Sequence, residues 1–196
     1  MSSRDAILSK VKQAQPERIP LIDLPDFEVG GNVIETFTNV ASGIGSKVVE
    51  IKSLTEIKET LISADRLKGK VISTLPELQE IADISLFTSV DPHDLQDVDL
   101  AIIRGHFGVA ENSAIWVTDE LLGQRVVPFI AQHLAIVIKR DDVLANMPQA
   151  YDRIAGLQYE FGTFIAGPSK TADIEQSLVL GAHGPRSLIV FILDEA

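Results

Sequence analysis

Leu188-Ile-Val-Phe-Ile-Leu193 is a continuous apolar run near the end of the sequence. A second run of this kind, Leu134-Ala-Ile-Val-Ile138, occurs earlier, and neither run alternates with polar residues. A strand that is buried on both faces has this pattern, and such strands are typical of parallel sheets covered on both sides. The two runs therefore predict a buried, mainly parallel sheet.

Segments on either side of these runs alternate between strand and helix patterns. Further strands are predicted at Lys47–Lys52, Val71–Leu75, Leu100–Arg104, Ala114–Thr118 and Thr163–Ala166. Helices are predicted at Val33–Ile44, from Ser53 to about Leu67, from Asp141 to about Tyr159, and near Ala172–Leu178. Strands that alternate with helices require crossover connections, which predict an α/β fold with helices on both faces of the sheet.

The N-terminal region has a different composition. Residues 3–15 have apolar residues at helical spacing, and the following segment, Pro16–Gly31, contains Pro16, Pro20 and Pro25. Proline removes backbone donors and disfavours helix at the preceding residue, so this segment is predicted to be extended. We therefore predict an N-terminal helix and Pro-rich connector over residues 1–32, laid against a single α/β domain over residues 33–196.

Charge and composition exclude several classes of function. The sequence has 17 basic and 28 acidic residues, a net charge of −11, which disfavours binding to nucleic acid or to anionic lipid. It contains no cysteine, so this chain has no thiolate nucleophile and no thiolate ligand for zinc or an iron–sulfur cluster. The start of the sequence shows no apolar run typical of a secretory signal, and Val126–Ile138 is too short to span a membrane. A cytoplasmic protein without membrane insertion is expected.

One candidate site is the segment Gly167-Pro-Ser-Lys-Thr-Ala-Asp-Ile-Glu175. If a strand ends at Gly167 and a helix follows, the free N–H groups of that helix favour an anion, and Lys170 adds positive charge. The alternative is purely structural: Ser169 or Thr171 caps the helix, while Asp173 and Glu175 complement its dipole.

A second candidate segment, Arg104–Ser113, follows another predicted strand and contains Glu111. A carboxylate just beyond a strand end can act as a base or a nucleophile, although a solvated loop glutamate has the same pattern. His183 in Gly181–Arg186 can carry a proton or contact an anion, or it can be structural. The four histidines are scattered along the sequence, so no metal site is predicted.

The two C-terminal segments together resemble a known signature. Gly167–Glu175 followed by Gly181-Ala-His-Gly-Pro-Arg186 is similar to the C-terminal motif of the LutC/YkgG family, whose members carry the LUD (lactate utilisation) domain. Ala110-Glu-Asn-Ser113 also matches, more loosely. Lys170 stands where that motif is expected to have arginine. Lysine retains the positive charge but lacks the planar, bidentate donor geometry of arginine. The resemblance implies a three-layer α/β/α sandwich similar to the sugar-phosphate isomerase and CoA-transferase superfamily (the NagB/RpiA/CoA transferase-like fold).

The resemblance also implies a function. It suggests a non-redox component of a system that oxidises L-lactate to pyruvate, acting with LutA- and LutB-like partner proteins. Iron–sulfur clusters are expected on those partners, and no cofactor is expected on this chain. Two alternatives stay open: an autonomous enzyme of the acyl-CoA transferase or sugar-phosphate type that uses Glu111, and a purely structural or regulatory module.

On this interpretation, the C-terminal motif forms a pocket for a small anionic metabolite, together with the segment around Glu111. The expected anion-binding residues are Gly167, Ser169, Lys170, Thr171, Gly184 and Arg186. Asp173 and Glu175 are expected to organise the loops, and Glu111 and His183 are the candidate catalytic residues.

Overall fold

The computed structural model describes residues 2–20, 22, 30–85, 91–174 and 177–195, with the backbone alone at 172–174 and 177–178. The helices of these residues are α1 (Ser3–Gln13), α2 (Val33–Gly43), α3 (Thr55–Ser63), α4 (Asp119–Leu122), α5 (Val127–Ile130) and α6 (Met147–Ile154). The strands are β1 (Lys47–Ile51), β2 (Lys70–Ser73), β3 (Val98–Arg104), β4 (Phe107–Val109), β5 (Ala114–Thr118), β6 (His133–Lys139), β7 (Val143–Leu144), β8 (Gly162–Ile165), β9 (Lys170–Ile174), β10 (Ser177–Leu180) and β11 (Ser187–Leu193).

Five parallel strands form the main sheet. Their order is β1-β11-β6-β3-β2, so the two apolar runs lie side by side near its centre as β6 and β11. In the register of that central pair, Ile136 is opposite Val190 and Val137 is opposite Phe191. The predicted α/β class with a mainly parallel sheet is confirmed.

The two faces of the main sheet carry separate apolar cores, because successive side chains of a strand point to opposite faces. On one face, Ala135 and Phe191 pack with Ile57 and Leu61 of α3. On the other face, Ile136 and Val190 pack in a core that includes the residues Phe37 and Ala41 of α2, Val127 of α5 and Ile115 and Val117 of β5. The layer that covers this second face of the main sheet is therefore formed partly by a β-sheet and not by helices alone.

That second sheet has the order β7-β4-β5-β8 and contains both parallel and antiparallel pairs. Its inner face packs on the main sheet through Ile115 and Ile165. Its outer face, with Phe107, Trp116 and Phe164, packs against Ala150 of α6. β8, which comes directly before the C-terminal motif, belongs to this sheet and not to the main parallel sheet.

Two predicted helices differ from the structure. The single helix predicted from Asp141 to Tyr159 is wrong: a 3₁₀ turn at Arg140–Asp142 and strand β7 come first, and α6 covers only Met147–Ile154. The side chain of Asn146 caps α6, and β7 is held by pairing with β4. The helix predicted near Ala172–Leu178 is also wrong, because the described residues there form the antiparallel pair β9–β10.

The N-terminal helix is confirmed as a helix, but its position differs from the prediction. No residue of α1 is buried, and the apolar side chains of Ile7, Leu8 and Val11 are all more than half exposed. It is therefore not laid against the body. Among the described residues, no helix is both long enough and apolar enough to cross a lipid bilayer.

Candidate functional site

The carboxyl edge of the main sheet is where β2, β3 and β6 end, at Ser73, Arg104 and Lys139. Ligands of open parallel sheets bind outside this edge, because the loops that follow the strands leave crevices between them. Three neighbouring cavities lie there in the structure, and they share lining residues.

The cavities differ in the chemistry of their walls. The outer cavity, about 270 Å³, is lined by Ser73, Thr74, Pro76, Ile84, Arg104, Glu120, Leu121 and Gly123. The cationic cavity, about 200 Å³, is lined by Arg104, Gly105, His106, Leu121, Val137, Ile138, Lys139, Asp142 and Leu193. The aromatic cavity, also about 200 Å³, is lined by His106, Phe107, Trp116, Thr118, Glu120, Arg153, Leu157, Gln158 and Tyr159.

His106 lies between the cationic and aromatic cavities and lines both. Its backbone N–H donates to the carbonyl of Trp116 at 2.9 Å, and its Nε2 is 2.7 Å from the hydroxyl oxygen of Thr118. Both contacts are to β5, so the second sheet holds the imidazole at the end of β3. The ring is fixed between the two cavities and remains half-buried.

Gly105 allows the chain to reach this position. A Cβ atom at Gly105 would lie 2.5 Å from Cγ2 of Ile115 and 2.9 Å from Cγ2 of Ile138. Real Cβ atoms do not approach other carbons this closely, so a side chain here would force the two sheets apart. The glycine therefore lets β3 pass directly from the main sheet to the second sheet, with His106 at the crossing point.

The charged residues around His106 have opposing effects on its pKa. Burial lowers the pKa of the imidazole, Glu120 and Asp142 raise it, and Arg153 lowers it, with a net decrease. The ring is consequently neutral at pH 7 and can accept a proton. Glu120 and Asp142 would favour the imidazolium that forms when it does so.

Two cations line the cationic cavity, Arg104 and Lys139. Nη2 of Arg104 is 3.2 Å from a carboxylate oxygen of Glu77, and Nζ of Lys139 is 2.8 Å from one of Glu195. Hydrogen bonding to Glu195 raises the pKa of Lys139, which keeps the amine charged. Exposed ion pairs of this kind contribute roughly 0–1 kcal/mol to stability. A carboxylate ligand can therefore compete with Glu77 and Glu195 for these cations, or bind the donors that the two glutamates leave free.

Arg153 has a structural position in the wall of the aromatic cavity. Its guanidinium forms an ion pair with Asp142 and lies 5.1 Å from the centre of the Phe107 ring. Behind it, the ring of Trp116 makes an edge contact with Tyr159 at 5.4 Å between centroids. These contacts fix this part of the wall.

The two halves of the C-terminal motif are brought together, as expected. The N–H of Ser169 donates to the carbonyl of Pro185 at 2.8 Å, and the N–H of Gly181 donates to the carbonyl of Ser169 at 3.0 Å. Gly184 lies directly against Ser169, since a Cβ on this glycine would be 3.1 Å from that of Ser169. Gly167 has a positive φ of 76° and packs on Ile44.

This motif lies at the amino edge of the main sheet, not at the carboxyl edge. The N–H of Arg186 donates to the carbonyl of Gln132, which directly precedes β6. Nζ of Lys170 would be 3.7 Å from a Cβ on Gly45, between α2 and β1. Lys170, His183 and Arg186 are exposed, and Thr171 pairs with Val179 in the β9–β10 hairpin. No helix begins after Gly167 within the described residues, so the helix donors on which the predicted anion site depended are missing.

Asp173 lies in β9, where only the backbone is described, and Glu175 lies outside the described residues. The proposed roles of these two carboxylates in organising the loops stay predictions.

Glu111 lies away from the C-terminal motif, at the start of α6. Its carboxylate accepts a hydrogen bond from the N–H of Met147 at 2.9 Å, at the start of α6, and its own N–H donates to Ala145 at 3.1 Å. These partners follow the carboxyl end of β6, whereas Arg186 is bonded to the residue before the amino end. The structure therefore does not join the two predicted segments in one pocket, and the described contacts of Glu111 are those of a helix-capping residue.

A histidine that the sequence analysis did not select lies near the C-terminal motif. Nε2 of His133 is 3.0 Å from Nη1 of Arg66, and Nδ1 is 2.8 Å from the hydroxyl of Ser187. Burial and Arg66 lower the pKa of His133, Asp99 opposes them, and Arg186 lowers it further. The ring is thus neutral and accepts from Arg66. Among the described residues, no group of acidic or histidine side chains has the arrangement of a metal site.

The residues at the carboxyl edge were accessible to sequence reasoning only in part. Gly105 and His106 directly follow the predicted strand Leu100–Arg104, and this position is the signal that the sequence offers. Thr118 and Glu120 come from β5 and α4, and only the folded chain places them beside His106.

Comparison with known proteins agrees with the resemblance seen in the sequence. The LUD domain family matches residues 90–193, which include the segment from β3 to β11. The chain is 30% identical over 112 residues to "Lactate utilization protein C" of Shouchella clausii, covering 55% of this chain and 48% of that protein. It is 28% identical over 174 residues to the protein of the same name from Exiguobacterium sp., covering 78% of this chain and 74% of that protein.

The chain spans about half the length of several curated relatives that it matches. Among solved structures, a DUF162 family protein from Deinococcus radiodurans has a similar fold, with a TM-score of 0.61. That similarity covers 82% of this chain and 96% of the other, at 13% sequence identity, and it supports the fold alone.

Proposed function

The chain belongs to the LUD domain family, and on that premise we propose that it serves lactate utilisation by binding a small 2-hydroxy or 2-oxo carboxylate at the carboxyl edge of the main sheet. One observation carries the proposal: a neutral, positioned imidazole, His106, lies between a cavity lined by cations and a cavity lined by aromatic side chains. The names of the relatives, "Lactate utilization protein C", support the metabolic role.

The residues of the site match the chemistry of such a ligand. Arg104 and Lys139 in the cationic cavity offer donors to the carboxylate. Oxidation of a 2-hydroxy acid removes the hydroxyl proton together with a hydride, or its equivalent of two electrons and a proton, from C2. His106 is the group that accepts the hydroxyl proton, and Glu120 and Asp142 favour its protonated form.

The two electrons require an acceptor, and we propose that iron–sulfur clusters on partner proteins take them one at a time, while the proton from C2 passes to solvent. The 196 residues contain no cysteine, the ordinary ligand of iron–sulfur clusters, so such clusters would be held by LutA- and LutB-like partners. This chain then acts as a non-redox component in the cytoplasm. Its net charge of −11 disfavours nucleic acid as an alternative partner.

The C-terminal motif remains a second proposed anion site, supported by a different observation. Nη1 of Arg66 is 3.0 Å from Nε2 of His133, and the N–H of Arg186 donates to the carbonyl of Gln132, the residue before His133, so both arginines are attached at the amino edge. Ser169, Lys170 and Thr171 are part of the same motif. An anion there would be bound at the opposite edge from His106.

Growth on L-lactate tests the proposed function. A strain that lacks the gene is complemented with the wild type, with His106→Gln, or with the matched variant His93→Gln, in which an exposed histidine outside both proposed sites is changed. We expect the wild type and His93→Gln to restore growth and His106→Gln to fail, at equal protein levels. Growth with His106→Gln, or loss of growth with His93→Gln alone, would contradict the proposal.

A further inference from the structure

We propose that the site takes 2-hydroxy or 2-oxo acids with a branched or aromatic side chain, and that lactate is the smallest acid it can hold. This inference depends on the proposed function and specifies its substrate class. It follows from the relative positions of the two cavities that meet at His106.

The order of groups in the acid matches the order of the cavities. In a 2-hydroxy acid, C2 lies between the carboxylate and the side chain. With the carboxylate held by Arg104 and Lys139 in the cationic cavity, C2 lies beside His106. The side chain then extends into the aromatic cavity, whose apolar lining includes Phe107, Leu157 and Tyr159.

The volume of the aromatic cavity exceeds what lactate needs. The methyl group of lactate is similar in size to a water molecule, which takes about 30 Å³ in the liquid. The aromatic cavity has a volume of about 200 Å³. A methyl group would leave most of its apolar wall without contacts, whereas a phenyl or branched alkyl group would gain both dispersion contacts and burial.

The cavity is preformed. Trp116 is 5% exposed and is packed between Tyr159 and Phe164, with centroid distances of 5.4 Å and 4.7 Å. Arg153 is held by Asp142 and by the Phe107 ring. Because this part of the wall is already packed, a bulky side chain meets a preformed apolar surface there, and that surface does not collapse around a small side chain.

Calorimetric titration of the full chain with L-lactate and with L-3-phenyllactate tests the inference. We expect phenyllactate to bind at least tenfold more tightly than lactate. Leu157→Trp places a larger side chain in the aromatic cavity and should reduce this ratio to near one. Ile62→Trp changes a similarly exposed apolar residue on α3, far along the chain from the site, and should leave the ratio unchanged.

The outcomes separate the two proposals. If lactate binds and phenyllactate binds equally or more weakly, the inference is overturned while the proposed function survives. If phenyllactate binds more tightly but Leu157→Trp has no effect, the side chain does not occupy the aromatic cavity and the inference is again overturned. If neither acid binds, the carboxyl-edge site itself is refuted.

Discussion

Nε2 of His106 lies 2.7 Å from the hydroxyl oxygen of Thr118, a contact that links the end of β3 to the end of β5. The hydroxyl holds the orientation of the imidazole, and when the ring donates its Nε2–H to Thr118, its Nδ1 is the nitrogen that accepts a proton. This pair joins the two sheets at the point where the cationic and aromatic cavities meet.

Removal of this hydrogen bond should impair function more than it impairs folding. Thr118→Val keeps the shape of the side chain but cannot form a hydrogen bond with His106, so the ring loses the contact that holds its orientation. We expect ligand affinity to fall about fivefold, in line with the roughly 1 kcal/mol that a typical hydrogen bond contributes. Thr118→Ser retains the hydroxyl and should retain function; equal loss in both variants would show that the hydroxyl is not involved.

Arg104 should contribute to ligand binding and little to stability. Its ion pair with Glu77 is solvent-exposed, so Arg104→Met should change the free energy of unfolding by less than about 1 kcal/mol. Loss of a charge-assisted hydrogen bond to a carboxylate should weaken the binding of 2-hydroxy acids roughly tenfold or more. Calorimetry measures the affinity of Arg104→Met beside that of the control Arg18→Met, which changes an exposed arginine of the N-terminal connector. Unchanged affinity in Arg104→Met would place the carboxylate elsewhere.

Acidification should destabilise the protein through two histidines. His106 and His133 have pKa values lowered by burial, so they bind protons less readily in the folded chain than in the unfolded chain. Their contribution to stability is complete above the unfolded pKa of about 6.5 and is lost as the pH falls below it. His133→Gln should reduce the decrease in unfolding free energy between pH 7 and pH 5.5, since glutamine can still accept from Arg66. The exposed His93→Gln is the control, and an identical slope in all three proteins would refute this explanation.

The crossing between the two sheets should not tolerate a side chain. Gly105→Ala places a methyl group 2.5 Å from Ile115, and such overpacking costs roughly 1–3 kcal/mol in the free energy of unfolding. Gly43→Ala, at the end of α2, meets no atom within 4 Å and should be neutral or slightly stabilising. Urea unfolding of both variants measures the difference. Equal stability of the two would mean that the sheets adjust without cost.

The main sheet could be predicted because its signal is local. Leu134–Ile138 and Leu188–Leu193 are long enough and apolar enough that only a strand buried on both faces suits them, and the structure places them side by side. β4 and β7 could not be predicted in this way, since three and two residues show no periodicity. β7 is a strand because it pairs with β4, and β4 because it pairs with both β5 and β7. The β9–β10 hairpin is a similar case, because the pairing of Thr171 with Val179 is seen only in the folded chain.

The candidate site was harder to predict because the sequence of a strand does not show which sheet the strand belongs to. The segment after β8 was expected at a ligand-binding edge, but β8 pairs antiparallel with β5 in the second sheet, and the motif that follows lies at the amino edge. The segment after β3 does lie at the carboxyl edge. There, the sequence favoured Glu111, while the structure places His106 between the cavities and uses Glu111 at the start of α6.

The location of a bound ligand tests the central claim most directly. A crystal structure of the chain soaked with L-3-phenyllactate should show the carboxylate beside Arg104, C2 beside His106 and the phenyl ring between Phe107 and Tyr159. Density for the acid at Lys170 and Arg186 instead, with the carboxyl-edge cavities occupied by water alone, would contradict the account.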